Sequence, residues 1–269
     1  MNKAAENKVA RFAAITIFPE MFAALTDAGI SRKALEAGLW SLSCWNPRDF
    51  ADNPSRSVDD RPYGGGPGMV MQAEPLMRAI EAGTNSLLNA GAAKSRVIYL
   101  SPQGRMLDHA KVMALVGELS TGQGLVLLCG RYEGVDERLI ELAVDEEISL
   151  GDFVLSGGEL VAMALMDALI RQLPGALGDT ASVTEDSFVA GLLDCPHYTR
   201  PEIFQGKKTP EVLLSGDHGK IRRWRLKMSL ARTRKRRPDI LRDRALSAEE
   251  TQLMAEILAE ESQEQCGEH

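Results

Sequence analysis

Residues Cys129–Leu160, CGRYEGVDERLIELAVDEEISLGDFVLSGGEL, decide the fold. The apolar run Leu125–Cys129 feeds the glycine turn Gly130-Arg131-Tyr132-Glu133-Gly134. A helical, acidic segment follows. A second glycine-bearing stretch, Leu150-Gly151 through Gly157-Gly158, then leads into an apolar helix. Glycine admits φ > 0 and lets main chain approach a ligand closely. Two such turns at strand ends imply a pocket walled by peptide N–H and C=O groups, which suits a flat, polar, neutral ring such as adenine. A single Gly-x-x-x-Gly is usually an ordinary strand-to-helix turn. Here each turn carries an acid (Glu133, Asp152), and a third turn, Ser101-Pro102-Gln103-Gly104, lies upstream, so a binding site is expected. Ser156-Gly157-Gly158-Glu159 has the spacing of a capping box and predicts the helix start.

Working outward, strand-type runs at Phe12–Phe18, Trp40–Trp45, Val97–Leu100 and Leu125–Cys129 alternate with helical patterns. The helices are expected at Pro19–Leu25, Ser31–Ala37, Glu74–Gly83, Asp108–Leu119, Asp136–Ala143 and Glu159–Gln172. This alternation predicts an α/β domain with a mainly parallel sheet. Val97–Leu100 is expected to end at Ser101-Pro102, and Ser86–Ser95 to be a polar connection. Asp59–Met69, DDRPYGGGPGM, is too rich in glycine and proline for regular structure, and its Arg, Tyr and Gly suit a loop that closes over substrate. It is not a phosphate-binding P-loop, because no Gly-Lys-Ser/Thr follows; Gly91–Ser95 lacks the required glycine too.

The chain has 269 residues, 44% hydrophobic and 26% charged, as in a water-soluble globular protein. No apolar run reaches the ~18–20 residues that span a bilayer, so no membrane partner is expected. The stretch Met1–Phe12 lacks a signal-peptide core, which predicts a cytoplasmic protein. Cys44, Cys129, Cys195 and Cys266 are scattered and are expected to be reduced thiols. Cys195-Pro196-His197 is the nearest approach to a metal pair, and no metal site is assigned. Net charge is −7, but its distribution is uneven. Lys220–Arg244 holds twelve Lys/Arg against two Asp, and Ala245–His269 holds seven Glu and no Lys or Arg. A basic patch of this kind suggests a polyanion partner. Gly178–Val189, small, polar and acidic, reads as a linker that is mobile until bound. Beyond it His218–Arg234 is a basic helix, and Ser247-Ala248-Glu249-Glu250 is a second capping box, opening a helix to about Glu261.

Eight tracts, in order and at their spacings, resemble the bacterial tRNA (guanine-N1)-methyltransferases of the SPOUT class. They are Phe18-Pro19-Glu20-Met21-Phe22, Asp59–Met69, Tyr99–Arg105, Cys129–Arg138, Gly151–Leu160, Glu185-Asp186-Ser187-Phe188, Gly191–Pro201 and Arg222–Lys227. The resemblance implies a mainly parallel α/β domain with a deep trefoil knot at residues 1–177. A flexible linker at 178–190 and a helical tRNA-binding domain with an acidic tail at 191–269 would follow. It implies S-adenosylmethionine bent in the knot. The pocket would be formed by Tyr99, Leu100, Ser101, Pro102, Gly130, Tyr132, Glu133, Gly134, Ser149, Leu150, Gly151, Leu155, Gly157 and Gly158. No Gly-x-Gly-x-x-Gly opens a helix after a strand, which argues against a Rossmann-type cofactor site. The sequence departs from the family where Phe153 replaces the usual Tyr and Val161 the usual Pro.

The same resemblance implies methyl transfer to N1 of the guanosine 3′ of the anticodon, position 37 of tRNA. Guanine N1 carries a proton, so the reaction needs a base and a group that steadies charge at O6. The family's pair maps onto Asp186 as base and Arg171 as O6 partner. Read without the resemblance, the first is one more linker acid and the second a helix-end cation. Asp194 and His197 are expected to order substrate, and Arg222, Arg223 and Arg225 to hold tRNA phosphates. The resemblance further implies a homodimer with its site at the subunit interface, and magnesium dependence. The competing readings are a ribose 2′-O-methyltransferase of the same class and a non-enzymatic RNA-binding protein.

Overall fold

The computed structural model describes residues 8–178, 186–242 and 244–267, with side chains to 263 in the last stretch. The chain divides into two compact units, Met1–Thr180 and Ala181–His269. Residues 179–185, most of the predicted linker and with them Glu185, lie outside the described residues.

The first unit is built on a five-stranded sheet in the order β2-β1-β6-β5-β7. Its strands are β1 (Ala10–Ile15), β2 (Trp40–Trp45), β5 (Lys94–Met106), β6 (Gln123–Cys129) and β7 (Glu146–Ser149). Every pairing is parallel. The central strands are apolar on both faces, as a sheet covered on both sides requires. Phe12, Ala14, Leu125, Leu127, Ile98 and Leu100 point into one core, against α4 (His109–Ser120) and α6 (Glu159–Ile170). Ala13, Ile15, Val126, Leu128, Val97 and Tyr99 point into the other, against α3 (Ala73–Asn89) and α5 (Glu137–Ala143). The period-two alternation therefore makes a three-layer α/β/α sandwich. The mainly parallel α/β expectation holds.

Four local expectations need correction. Helix α3 runs past Gly83 to Asn89, through the first four residues of the stretch read as a polar connection. Glycine lowers helix propensity, but here a Cβ would stand 3.2–3.3 Å from Ile15, Ala13 and Trp45, so its absence brings the helix close to the sheet. Strand β5 does not end at Ser101-Pro102. It pairs Leu100 with Ile148, loops out Ser101-Pro102-Gln103-Gly104 as a bulge, and resumes with Arg105 opposite the same Ile148. Asp59-Asp60 is not irregular: as β3 it pairs antiparallel with β4 (Val70–Met71), leaving 61–69 as the loop. The acidic segment expected to be helical also contains a strand, β7. Its Glu146 is an edge-strand acid, held by Arg96 at 2.9 Å and Lys111 at 2.6 Å.

The second unit packs Leu192, Leu230, Leu253 and Ile257 into a small core. The basic helix His218–Arg236 and the acidic helix Ala248–Gly267 supply most of it. The second capping box forms as expected: Ser247 N–H donates to Glu250 Oε2 at 2.8 Å and Glu250 N–H to Ser247 Oγ at 3.2 Å. The two helices also neutralise each other. Arg222 meets Glu249 at 2.7 Å, Arg223 meets Glu256 at 2.5 Å, Lys227 meets Glu260 at 2.6 Å, and Arg234 meets Glu261. Each exposed pair contributes at most about 1 kcal/mol, but four in series fix the register of the helices. The uneven charge of the sequence is thus in large part an internal pairing.

Candidate active site

Open parallel sheets place ligand sites beyond the carboxyl ends of their strands. Three neighbouring strands, β6, β5 and β7, end around one cavity of the first unit. Strand β5 supplies Tyr99 and Leu100, and its bulge supplies Ser101 and Pro102. The turn after β6 supplies Gly130, Tyr132, Glu133 and Gly134, and the segment after β7 supplies Ser149, Leu150, Gly151, Leu155, Gly157 and Gly158. All fourteen residues expected at a cofactor pocket meet here. Arg131, Gln103, Ile148, Phe153, Val154, Ser156 and Val161 line it too, and sequence reasoning had not assigned them.

The glycines are spent on close approach. A Cβ on Gly130 would stand 2.9 Å from the Tyr99 ring, and one on Gly158 would stand 2.8 Å from Cys129 Cα. On Gly151 it would meet the Phe153 ring at 2.6 Å, and on Gly104 it would collide with the Glu147–Ile148 backbone. Gly158 N–H donates to Gly130 O at 2.9 Å and so joins the two turns directly. Serines pin the other loops: Ser101 Oγ accepts from Gln103 N–H at 3.2 Å, and Ser149 Oγ accepts from Gly151 N–H at 3.1 Å. Tyr132 takes a left-handed φ of 59°, a conformation that costs a non-glycine residue of order 1 kcal/mol and concentrates at functional sites.

The first capping box does not form. Helix α6 starts after Gly158 with no side-chain cap. Glu159, 0% exposed, turns inward instead and accepts Thr16 Oγ1 at 2.8 Å on one oxygen and Arg131 Nε at 2.8 Å on the other. Arg131 also donates to Ser156 O at 3.1 Å, and its guanidinium lies 4.5 Å from the Phe18 ring centroid. A Cβ on Gly157 would overlap the Arg131 side chain, so that glycine makes room for the ion pair. One buried carboxylate therefore ties the turn after β6, the loop before α6 and the end of β1 together.

The glycine-rich loop 61–69 reaches this wall. Glu133 N–H donates to Met69 O at 2.9 Å and Met71 N–H to Gly134 O at 2.9 Å. Gly68 leaves room for the Glu133 carboxylate. Burial first, then the Glu147 charge, pushes the Tyr99 hydroxyl up to about 12, so it stays a neutral hydrogen-bonding group. The acid on the cavity wall is Glu133, half turned to solvent against the loop.

Arg171 is the half-buried C-cap of α6. In the second unit Asp186, Asp194, Arg222 and Arg225 line a cavity of their own. His197 is not on its lining, but its Nε2 lies 2.7 Å from Asp194 Oδ2. Arg223 faces Glu256. The stretch carrying Asp186 is fastened to the basic helix. Asp194 N–H donates to Ser187 Oγ at 3.0 Å, Leu193 N–H to Thr233 Oγ1 at 2.9 Å, and Arg232 Nη1 to Asp194 O at 3.2 Å. Burial works to raise the Asp194 carboxyl, but hydrogen bonds from His197 and Cys195 N–H outweigh it and hold it below the ordinary range. Asp194, Cys195 and His197 also form the one trio of metal-type donors among the described residues. Both Asp194 oxygens are already engaged there, by Cys195 N–H and His197.

Among the described residues no helix is long and apolar enough to cross a membrane. The family model described as tRNA (Guanine-1)-methyltransferase TrmD matches residues 10–243. A tRNA (guanine-N(1)-)-methyltransferase of Dechloromonas aromatica is 68% identical over 259 residues, 96% of this chain and 99% of that protein. One of Aromatoleum aromaticum is 63% identical, over 93% of this chain and 94% of the relative. One of Escherichia coli is 56% identical over 93% and 95%. With the cavity, the glycine turns and the full-length match in agreement, this chain belongs to the tRNA (guanine-1)-methyltransferase family.

Proposed function

We propose that the protein transfers a methyl group from S-adenosylmethionine to N1 of the guanosine 3′ of the anticodon in tRNA, in the cytoplasm. The observation that carries this reading is the cavity at the ends of β6, β5 and β7, in a chain of this family. Its wall fits the cofactor: the glycine turns, joined by Gly158 N–H to Gly130 O, bring main chain rather than long side chains to the cavity, and the Tyr99 ring and Leu155 suit the faces of adenine. Bound S-adenosylmethionine would supply a methyl group already activated as a sulfonium, so no covalent enzyme intermediate is needed. The chain's own work is then at the base. The Asp186 carboxylate takes the proton from guanine N1, and Arg171 donates to O6 as negative charge collects there. Asp194 and His197 order the substrate, and Arg225 holds a tRNA phosphate, joined by Arg222 and Arg223 as phosphates displace Glu249 and Glu256.

The active form is proposed to be a homodimer with the site at the subunit interface. In support, Val154 is 84% and Phe153 56% exposed beside the cavity, with Leu155 and Leu160 also uncovered. Exposed apolar clusters of this kind mark interaction surfaces. The test of function is titration calorimetry with S-adenosylmethionine, then methyl transfer to tRNA transcripts with and without that guanosine. Cofactor binding and transfer only to the first transcript are expected. Methyl groups found on ribose 2′-oxygens, or no transfer, would overturn the reading.

Gly158→Ala tests the pocket itself. The added methyl has only backbone to meet, at Cys129 and Gly130, and nothing flexible to displace. Cofactor affinity should fall at least about tenfold, the effect of 1.4 kcal/mol, while the circular dichroism spectrum keeps its α/β shape. Unchanged affinity in calorimetry would remove the two turns from the cofactor site.

A further inference from the structure

In the second unit, two short strands stand apart from the helical core. β8 (Ile203–Phe204) and β9 (Lys207–Lys208) pair antiparallel, with Phe204 opposite Lys207 and Ile203 opposite Lys208. Gln205 and Gly206, at φ 49° and 78°, form the two-residue turn whose twist matches a hairpin. Thr209 N–H donates to Glu202 O at 2.9 Å and closes the base. Because side chains alternate across a strand, one face of the ribbon carries a phenyl ring beside an ammonium group. The other carries an isoleucine beside an ammonium group. Phe204 is 65% and Ile203 52% exposed.

A two-stranded ribbon is marginal without something to pack on, and this one spends apolar side chains in the open. Among the described residues neither Lys207 nor Lys208 has an ion-pair partner, whereas four cations of the basic helix are held by the acidic helix. The ribbon is therefore where unspent positive charge and an open aromatic ring coincide. We propose that it is an RNA contact: an unstacked nucleotide of the tRNA lays its base on Phe204, and Lys207 and Lys208 take the flanking phosphates. This rests on the tRNA reading above. A ring for any base plus cations for the backbone is the general chemistry of single-strand recognition. A second copy of the ribbon is a poor occupant, because packing like face on like face would set one ammonium group against another with no acid between them.

The test compares the full-length protein with Phe204→Ala and with Lys207→Gln/Lys208→Gln, reading tRNA affinity across a salt series, melting temperature and sedimentation. Phe204→Ala should weaken tRNA binding about tenfold, within the range a stacked base contributes. The double variant should make the log–log salt slope shallower by about 1.4, two contacts at the single-strand value. Melting temperature and cofactor affinity should stay at wild-type values, since the ribbon is outside the core. If the wild-type protein methylates tRNA but both variants bind it with unchanged affinity and slope, the ribbon proposal fails alone. If a variant changes the sedimentation coefficient at unchanged tRNA affinity, the surface is a protein contact and the proposal fails. If the wild-type protein transfers no methyl to tRNA at all, the tRNA reading fails and takes the ribbon with it.

Discussion

Arg131→Ala should destabilise the first unit by about 3–5 kcal/mol and abolish measurable cofactor binding at the same time. Removing one partner of a buried ion pair leaves the other charged and desolvated, and that is the costly half of such a change. Here the abandoned group is Glu159, which is 0% exposed, while the Arg131 side chain keeps 15% of its surface in water. The asymmetry predicts an order. Arg131→Ala is worse than Glu159→Gln, because glutamine keeps an acceptor for Thr16 and strands only a cation that can still reach solvent. The double variant Arg131→Ala/Glu159→Gln should recover part of the loss, since no buried carboxylate then lacks a counterion. A cycle of urea midpoints measures the coupling. Additive single losses would show that the pair is not what joins the two turns.

The same pair marks the limit of what the sequence reveals. Ser156-Gly157-Gly158-Glu159 and Ser247-Ala248-Glu249-Glu250 share one spacing, yet only the second caps a helix. The difference is tertiary: Glu250, itself buried, takes Arg244 as its counterion and keeps its other oxygen for Ser247 N–H, whereas Glu159 faces the sheet and finds Arg131 and Thr16. No local pattern carries that. Gly83 misleads in the same way, because its value is the closeness of α3 to the sheet, which exists only once both are folded. Strand β7 is short and acidic, and its one buried apolar residue, Ile148, gives no period to read. What was legible is what backbone chemistry writes locally. The glycine turns, the apolar strands and the helix pattern gave the parallel sheet. The eight family tracts hold twelve of the fourteen residues expected around the cavity, and Ser149 and Leu150 directly precede the tract Gly151–Leu160. Arg131 had a readable signal, a lone cation inside a glycine-bounded turn at a strand end, and a buried acid as partner was the missing half.

Asp186→Asn should lower single-turnover methyl transfer by about 10²–10⁴, the range that a positioned acid–base group contributes, while leaving cofactor affinity within experimental error. The variant is a clean one. Asparagine keeps the size of the side chain. The segment that bears it stays anchored by bonds made elsewhere: Asp194 N–H to Ser187, Leu193 N–H to Thr233, and Arg232 to Asp194 O. Cofactor affinity should not follow, because the proposed cofactor cavity is lined wholly by residues of the first unit. The sharpest comparison is with Glu133→Gln. Glu133 is the carboxylate on that cavity's wall, and Tyr99, held neutral by burial, leaves it as the cavity's own candidate base. If Asp186 takes the N1 proton, Asp186→Asn is nearly dead and Glu133→Gln loses mainly cofactor affinity, since its side chain packs against Gly68 at the cavity wall. A fully active Asp186→Asn beside an inactive Glu133→Gln would transfer the base to the first unit. Asp186 would then be left as one of the polar groups that, with Asp194, Arg222 and Arg225, line the cavity of the second.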